Sequence, residues 1–426
     1  LSMVNGAFSV GWDGIGILNQ NGGAISVNQF QLDSNGSTAG SSQFNMTGGT
    51  LMIGAGGWSA NGDASDVINL GAGTLLASAA WTSANPANLN SPLQGTTFDT
   101  TGGNITWSGS LCRTGSLVKA GSGILTLSAT NSYSGFTTIE SGVLKLTGAG
   151  AISNSPTITV GVTNGASAFL DVSGVTGSRY YLKADQAIQG YGIVTGSVAL
   201  LTTSKVYPGD NGNAGALSFS NDLWLAASPM TNLFFDLSAD ADGASNDLLV
   251  VGGQLSPSNS TIYVTPTEGI LESANYLLMR YGTTNGWFNP TVEGNFSHKT
   301  WTLNTDTPNE IWLTVIGDNP TNITWRGFVA GGNWDFLATT NWVVSDTLVV
   351  TNFAWGDPVT FDDTVGTGVT NVNLVGTLKP ASIMVSNLTY NYVIQGAGIL
   401  SGSAGMTKKG AGTLTLNAAD GITIND

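Results

Sequence analysis

Side chains that commonly carry chemistry are scarce in this sequence, and their placing limits what it can do. His298 is the one histidine, in Asn295-Phe-Ser-His298-Lys-Thr300. Any Ser–His–Asp relay would have to be built on it, and no nucleophile elbow lies nearby, so it reads as an ordinary strand or loop residue. Cys112 is the one cysteine; it has no partner for an intrachain disulfide and no companions for a Cys/His zinc site, and it reads as a small core residue. Glycoside hydrolysis needs two carboxylates facing one another across a sugar. The candidates are Asp171, Asp185, Asp210, Asp236, Asp240, Asp242, Asp247, Asp362 and Asp363, and most stand beside Gly, Asn or Ser, where Asp caps a turn. The densest run is Asp236…Asp240-Ala-Asp242-Gly243…Asp247. Oxygen ligands beside a glycine suit calcium, which makes Asp240, Asp242 and Asp247 the metal candidates, although no Glu closes an EF-type loop. Trp325, Trp334, Trp342 and Trp355 crowd one stretch among Asn and Gly. Exposed on a sheet face they would stack on sugars; packed inside they would plug the end of a β-domain core, which is the favoured reading.

The elements that must position these residues are strands. Charged residues make up only 9% of the chain against roughly 25% in ordinary domains, yet the net charge is −15. Clustered Lys and Arg, which nucleic acid and anionic membrane surfaces demand, are missing. With 41% hydrophobic residues there is enough apolar surface to bury, and no apolar run reaches membrane-spanning length. Glycine is abundant at 59 residues; Thr, Val, Ile, Ser and Asn dominate, helix formers are few, and no sustained 3.6-residue apolar stripe occurs.

A repeat organises the first hundred residues. Leu18…Gly22-Gly23-Ala-Ile25-Ser-Val27, Phe44…Gly48-Gly49-Thr-Leu51-Met-Ile53, Ile68…Gly71-Ala-Gly73-Thr-Leu75 and Phe98…Gly102-Gly103-Asn-Ile105-Thr-Trp107 share one pattern. Gly23 to Gly49 is 26 residues, Gly49 to Gly73 is 24, and Gly73 to Gly103 is 30. A wandering period with strand-like alternation is what stacked solenoid rungs produce, with glycines at the corners. A second repeat recurs at an offset of 289 residues: Lys119-Ala-Gly-Ser-Gly123-Ile-Leu-Thr-Leu127 returns as Lys408-Lys-Gly-Ala-Gly412-Thr-Leu-Thr-Leu416. The region before each copy also matches, at a different spacing, with Thr106-Trp107 answered by Thr324-Trp325. The chain opens on Leu1 and stops inside this second copy, so a fragment of a longer tandem protein is expected.

The stretch Lys119-x-Gly121-x-Gly123-x-Leu125-Thr-Leu127…Asn131-x-Tyr133-x-Gly135-x-Thr137-Thr138…Gly142-x-Leu144-x-Leu146 closely resembles the autotransporter-associated β-strand repeat, also called the passenger-associated transport repeat. Phe136 replaces a frequent second glycine. Gln186…Gly190-Tyr-Gly192…Gly196…Pro208-Gly209 is similar to the stretch that often follows it. Asp247-Leu-Leu-Val250 with Tyr276-Leu-Leu resembles the close of the module, and Trp325…Trp334-Asp335…Trp342…Phe361-Asp-Asp363 resembles the opening of further modules in large surface proteins of Gram-negative bacteria, particularly the Verrucomicrobia–Planctomycetes–Lentisphaerae group. The composition reads as all-β, and the resemblance implies a right-handed parallel β-helix (β-solenoid) and secretion to the cell exterior; Asp222–Leu237 and Asp247–Leu255 read as longer strands and point to an additional β-rich layer. It supplies no catalytic residues, and a fold shared with enzymes is no argument for catalysis.

The expected organisation is Gly-Gly rungs over 1–107, the strong repeat over 108–200, a closing β layer over 201–316, and a second, incomplete module from 317, joined at Asp318-Asn-Pro320. The expected function is a non-enzymatic structural or adhesive protein at the bacterial cell surface, without cofactor unless calcium binds. Expected partners are further copies, head to tail or laterally in a fibre, and a glycan or cell-surface receptor. The competing expectation is a carbohydrate-binding or polysaccharide-degrading β-helix.

Overall fold

The computed structural model describes residues 1–12, 14–33, 41–60, 66–210, 212–225, 232–241, 245–256, 260–267, 271–286, 291–294, 299–401 and 405–418. Among these, the regular structure is strand apart from one short 3-10 turn, Asp363–Val365. The chain divides into two compact units: the first comprises 1–269, 275–294 and 303–313, the second 270–274, 295–302 and 314–426.

The first unit is a parallel β-solenoid. Two long sheets, of 16 and 14 strands, run through it, and from Gly73 onward successive turns of chain add strands to both. In the first sheet Thr96, Leu117, Thr137, Ile158, Ile188, Val206, Leu233, Ile262 and Val292 lie one above the next. In the second, Trp81, Ile105, Leu125, Leu144, Leu170, Val194, Phe219 and Val251 do the same. Side chains alternate between faces with a period of two, so every second residue of a strand enters the interior. The strand Gly142–Gly148 shows the result, with Leu144 and Leu146 buried and Val143 and Lys145 half-exposed. One rung has too little apolar surface to fold alone, but stacking continues each buried position into the rung above and below. The ladders cross residues 107–108 and 200–201 without a break, and 201–294 prolong them.

The glycine pairs turn the corners, for two different reasons. Gly23, Gly49 and Gly73 have positive φ of 65°, 82° and 154°. Gly103 does not need positive φ; a Cβ there would strike the backbone of Ala79 and Ala80 in the rung below. The chain turns so tightly at Gly23 and Gly49 that the strands Ile17–Leu32 and Gln43–Ala60 continue through the corner.

The second unit is also mostly parallel, with sheets of six, four and two strands. It opens differently: Trp342–Val344 runs antiparallel to both Ile323–Trp325 and Val350–Thr351, so a hairpin covers the starting edge of the six-stranded sheet. A parallel edge left bare is a template for unwanted pairing, which an antiparallel hairpin blunts. Trp325, Trp334 and Trp342 are each 0% exposed beneath it, packed with Phe353, Phe361 and Tyr392.

Candidate functional site

The residues of the strong repeat converge on one construction. Lys119 occupies the interior ladder between Phe98 and Ile139 and is 0% exposed. Its ammonium bends to the corner and donates to the carbonyls of Ala120 and Gly121 at 2.8 Å and of Ser141, one rung on, at 3.0 Å. Desolvation lowers its pKa to about 8, with the Asp99 carboxylate pulling the other way. Asn131 is buried and reaches two neighbouring rungs: its side-chain oxygen accepts from the Leu111 amide at 2.9 Å, and its nitrogen donates to Ala129 and Ala151 at 2.9 and 3.0 Å. Tyr133 is buried against Thr137, hydroxyl to hydroxyl at 2.6 Å, and Thr137 passes a bond to Ser155 at 3.0 Å. Burial raises the Tyr133 pKa well above the usual phenol range. Gly142, at φ +67°, could not carry a Cβ without striking the carbonyls of Gly121 and Gly123. These motif positions lock rung to rung. In the second copy, Lys408 repeats the first two bonds, to the carbonyls of Lys409 and Gly410 at 2.8 and 2.9 Å.

The family model described as passenger-associated-transport-repeat matches residues 117–146 and 406–426. The chain carries this repeat at two places. No curated protein and no solved structure matches the chain. The repeat is of the autotransporter passenger type, and the first match begins with the strand that holds Lys119 and ends on Leu146 of the next rung.

The acids serve the backbone. Asp247 is 1% exposed and accepts from the amides of Gly215 and Asp236, both at 2.7 Å. Burial pushes it up to about 8, reinforced by the nearby charges of Asp236 and Asp210 and opposed by the two amides. Asp247 therefore ties the strand Asn232–Leu237 to the residue before the strand Ala216–Phe219. Asp240 offers its backbone carbonyl to Ser238 and Asn246, and Asp242 lies outside the described residues, as does His298. Among the described residues, no group of three or more His, Cys, Asp or Glu is placed to hold a metal ion. Asp171 pairs with Lys145 at 2.9 Å, and Asp185 sits in a turn at φ 61°. Asp362 caps the 3-10 turn at the Thr364 amide, and Asp363 gathers the amides of Tyr390, Leu388 and Thr389, which hold its carboxyl below the usual range. Cys112 is half-buried with a free thiol.

Burial also corrects the glycan-stacking alternative for Trp325, Trp334 and Trp342, whose faces meet other aromatic rings at 4.9 to 5.8 Å. Trp355 is half-exposed, but Phe336 lies 4.7 Å from its ring, the Lys379 ammonium 4.8 Å from it, and its indole nitrogen bonds the Thr377 carbonyl.

Two outward-facing ladders are invisible in the sequence, because each is assembled from single residues of separate rungs. Asn19, Asn45, Asn69 and Asn88 stack in register, each side-chain nitrogen bonding the previous oxygen at 2.8, 2.8 and 3.0 Å. Beside it opens a cleft of about 650 Å³ lined by Asn45, Asn69, Asn90, Pro92 and the fully exposed Leu93. Tyr207, Phe234 and Tyr263 stack at 4.3 and 4.8 Å with planes 13° apart. Rings piled on one another along the axis show edges to solvent, which stiffens the sheet but offers no flat face to a sugar.

Proposed function

We propose that the chain is a structural or adhesive rod segment displayed outside the cell, without catalysis, and that it assembles end to end into a fibre. The observation that carries this reading is the passenger-type repeat itself: its lysine, asparagine, tyrosine and glycine positions are consumed in joining one rung to the next and leave no side chain free for chemistry. The carboxylates of Asp171, Asp236, Asp247, Asp362 and Asp363 accept from backbone amides, which supports an architectural role. The first strand, Ser2–Val10, supports the assembly, since Met3 and Phe8 stack on the buried Val27 and Phe30 and Met3 is still 38% exposed; such an end fits a further rung, from the same or another chain, whose apolar ladder would continue through it. Sedimentation and negative-stain microscopy at rising concentration should show elongated particles that lengthen, and Met3→Asp should shorten them. Compact monomers at every concentration would count against assembly.

A second reading, binding of a neutral glycan, is favoured by the cleft beside the asparagine ladder, where amide donors and acceptors recur once per rung beside Leu93 and no charged side chain lines the wall. A glycan array with Asn69→Ala as the control tests it, and a reducing-end release assay separates binding from hydrolysis.

A further inference from the structure

The strand Lys299–Asn304 begins with a lysine that is only 9% exposed. Its ammonium meets three acceptors: the Gly317 carbonyl at 3.0 Å, the Ser273 hydroxyl at 3.1 Å and, closest, the side-chain carbonyl of Asn319 at 2.7 Å. The nitrogen of the same Asn319 amide donates to both oxygens of Glu272, at 3.1 and 3.0 Å. All five residues belong to the second unit. The network dictates the amide's orientation, because the flipped form would set donor against donor at Lys299 and acceptor against acceptor at Glu272. An amine, a carboxamide and a carboxylate thus form one hydrogen-bonded chain.

We propose that Lys299 and Asn319 join in an isopeptide bond that the chain forms by itself, with Glu272 carrying the proton. The ammonium first loses one proton to solvent. The Nζ lone pair attacks Cγ of Asn319, the bond from Cγ to Nδ2 breaks, and the second proton passes from Nζ through the Glu272 carboxylate to the departing nitrogen, which leaves as ammonia. Atoms balance, nothing is oxidised or reduced, and no co-reactant is consumed. Aminolysis of an amide is slow between free partners; holding both in contact replaces an encounter with a unimolecular step, and a carboxylate already bonded to the leaving nitrogen supplies acid–base help. The commonest competing fate of asparagine is closed here. Asn319 precedes Pro320, which has no backbone N–H to attack the side chain. The bond would tie the start of the strand Lys299–Asn304 to the segment that follows the strand Glu310–Gly317.

Peptide mapping of the full chain after incubation at mildly alkaline pH tests this. The expected result is a branched peptide joining Lys299 to Asn319 and an intact mass short by one ammonia. Asn319→Ala and Lys299→Ala should lack the branch, and Glu272→Gln should form it roughly 100-fold more slowly or worse. Asn-Gly pairs such as Asn21-Gly22 and Asn164-Gly165 can also shed ammonia, so the branched peptide decides. Wild-type protein that yields none, or a branch that persists in Asn319→Ala, overturns the proposal and leaves Lys299 as a hydrogen-bonded strut. Since the deciding measurement is on the wild type, a variant that folds poorly does not blur the outcome.

Discussion

Lys119 places a cation where its ladder neighbours are Phe98 and Ile139, and the corner carbonyls make that tolerable. Replacing it with alanine removes the stem from the core and leaves three carbonyls without their donor, so Lys119→Ala should cost about 2–4 kcal/mol in the unfolding free energy, measured by denaturant titration. The charge has its own signature. With a folded pKa near 8 against an ordinary 10.5, the native state gives up this proton first, and between those values the unfolded chain binds more protons. Lys119 therefore contributes stability that rises as the pH climbs from about 8 to 10.5, and Lys119→Met should flatten that rise. Asp247 acts in the opposite sense. Its folded pKa of about 8 lies above the usual 3.8, so the native state binds the extra proton and stability from this group falls as pH rises from about 4 to 8. Asp236 and Asp210 are the charges facing it. The melting temperature of Asp247→Asn across that window should fall less steeply than that of the wild type; an unchanged slope would assign the effect elsewhere.

At the scale of the element, the unit of stability is the corner and the strands that meet there. Gly142 combines a left-handed φ with carbonyls where a Cβ would stand. Gly142→Ala should therefore lower stability by about 1–3 kcal/mol, whereas Gly22→Ala, where a Cβ meets open space, should be nearly silent. Equal melting curves for the two variants would refute the distinction. The hairpin that opens the second unit follows the same logic from the packing side. Trp342→Ala should cost about 3–5 kcal/mol, read by thermal unfolding, because the ring is fully buried against Trp325, Trp334 and Phe361. The strand periodicity of these segments is legible in the alternation of apolar and polar residues. The antiparallel direction of Trp342–Val344 is not, since pairing direction depends on which edge is available.

For the molecule as a whole, a net charge of −15 acts on assembly. Like-charged chains repel over about 10 Å at 0.1 M salt, and screening shortens that reach. If the chain assembles end to end, light scattering should show faster growth as salt is raised from about 0.01 to 0.15 M, with glycan-array signals changing little because the asparagine cleft is uncharged. Growth that is indifferent to salt would remove electrostatics as the brake.

Composition and spacing alone determined that this chain is built of strands, that glycines turn its corners, and that residues 117–129 and 406–418 are copies of one repeat. Those properties are local: alternation, a missing Cβ and a recurring spacing act within one rung and are written in consecutive residues. Only the tertiary structure decided that Lys119 is an interior staple, that three of the four clustered tryptophans are buried, that Asp247 bonds amides, and that Lys299, Asn319 and Glu272 meet. Each of these depends on what another rung or loop places opposite a side chain, as Ser141 meets Lys119 from 22 residues away, Gly215 meets Asp247 from 32 and Glu272 meets Asn319 from 47. Stacking turns distance along the chain into contact, and the partner of any one residue is settled by register and loop length, which spacing within a single rung does not encode.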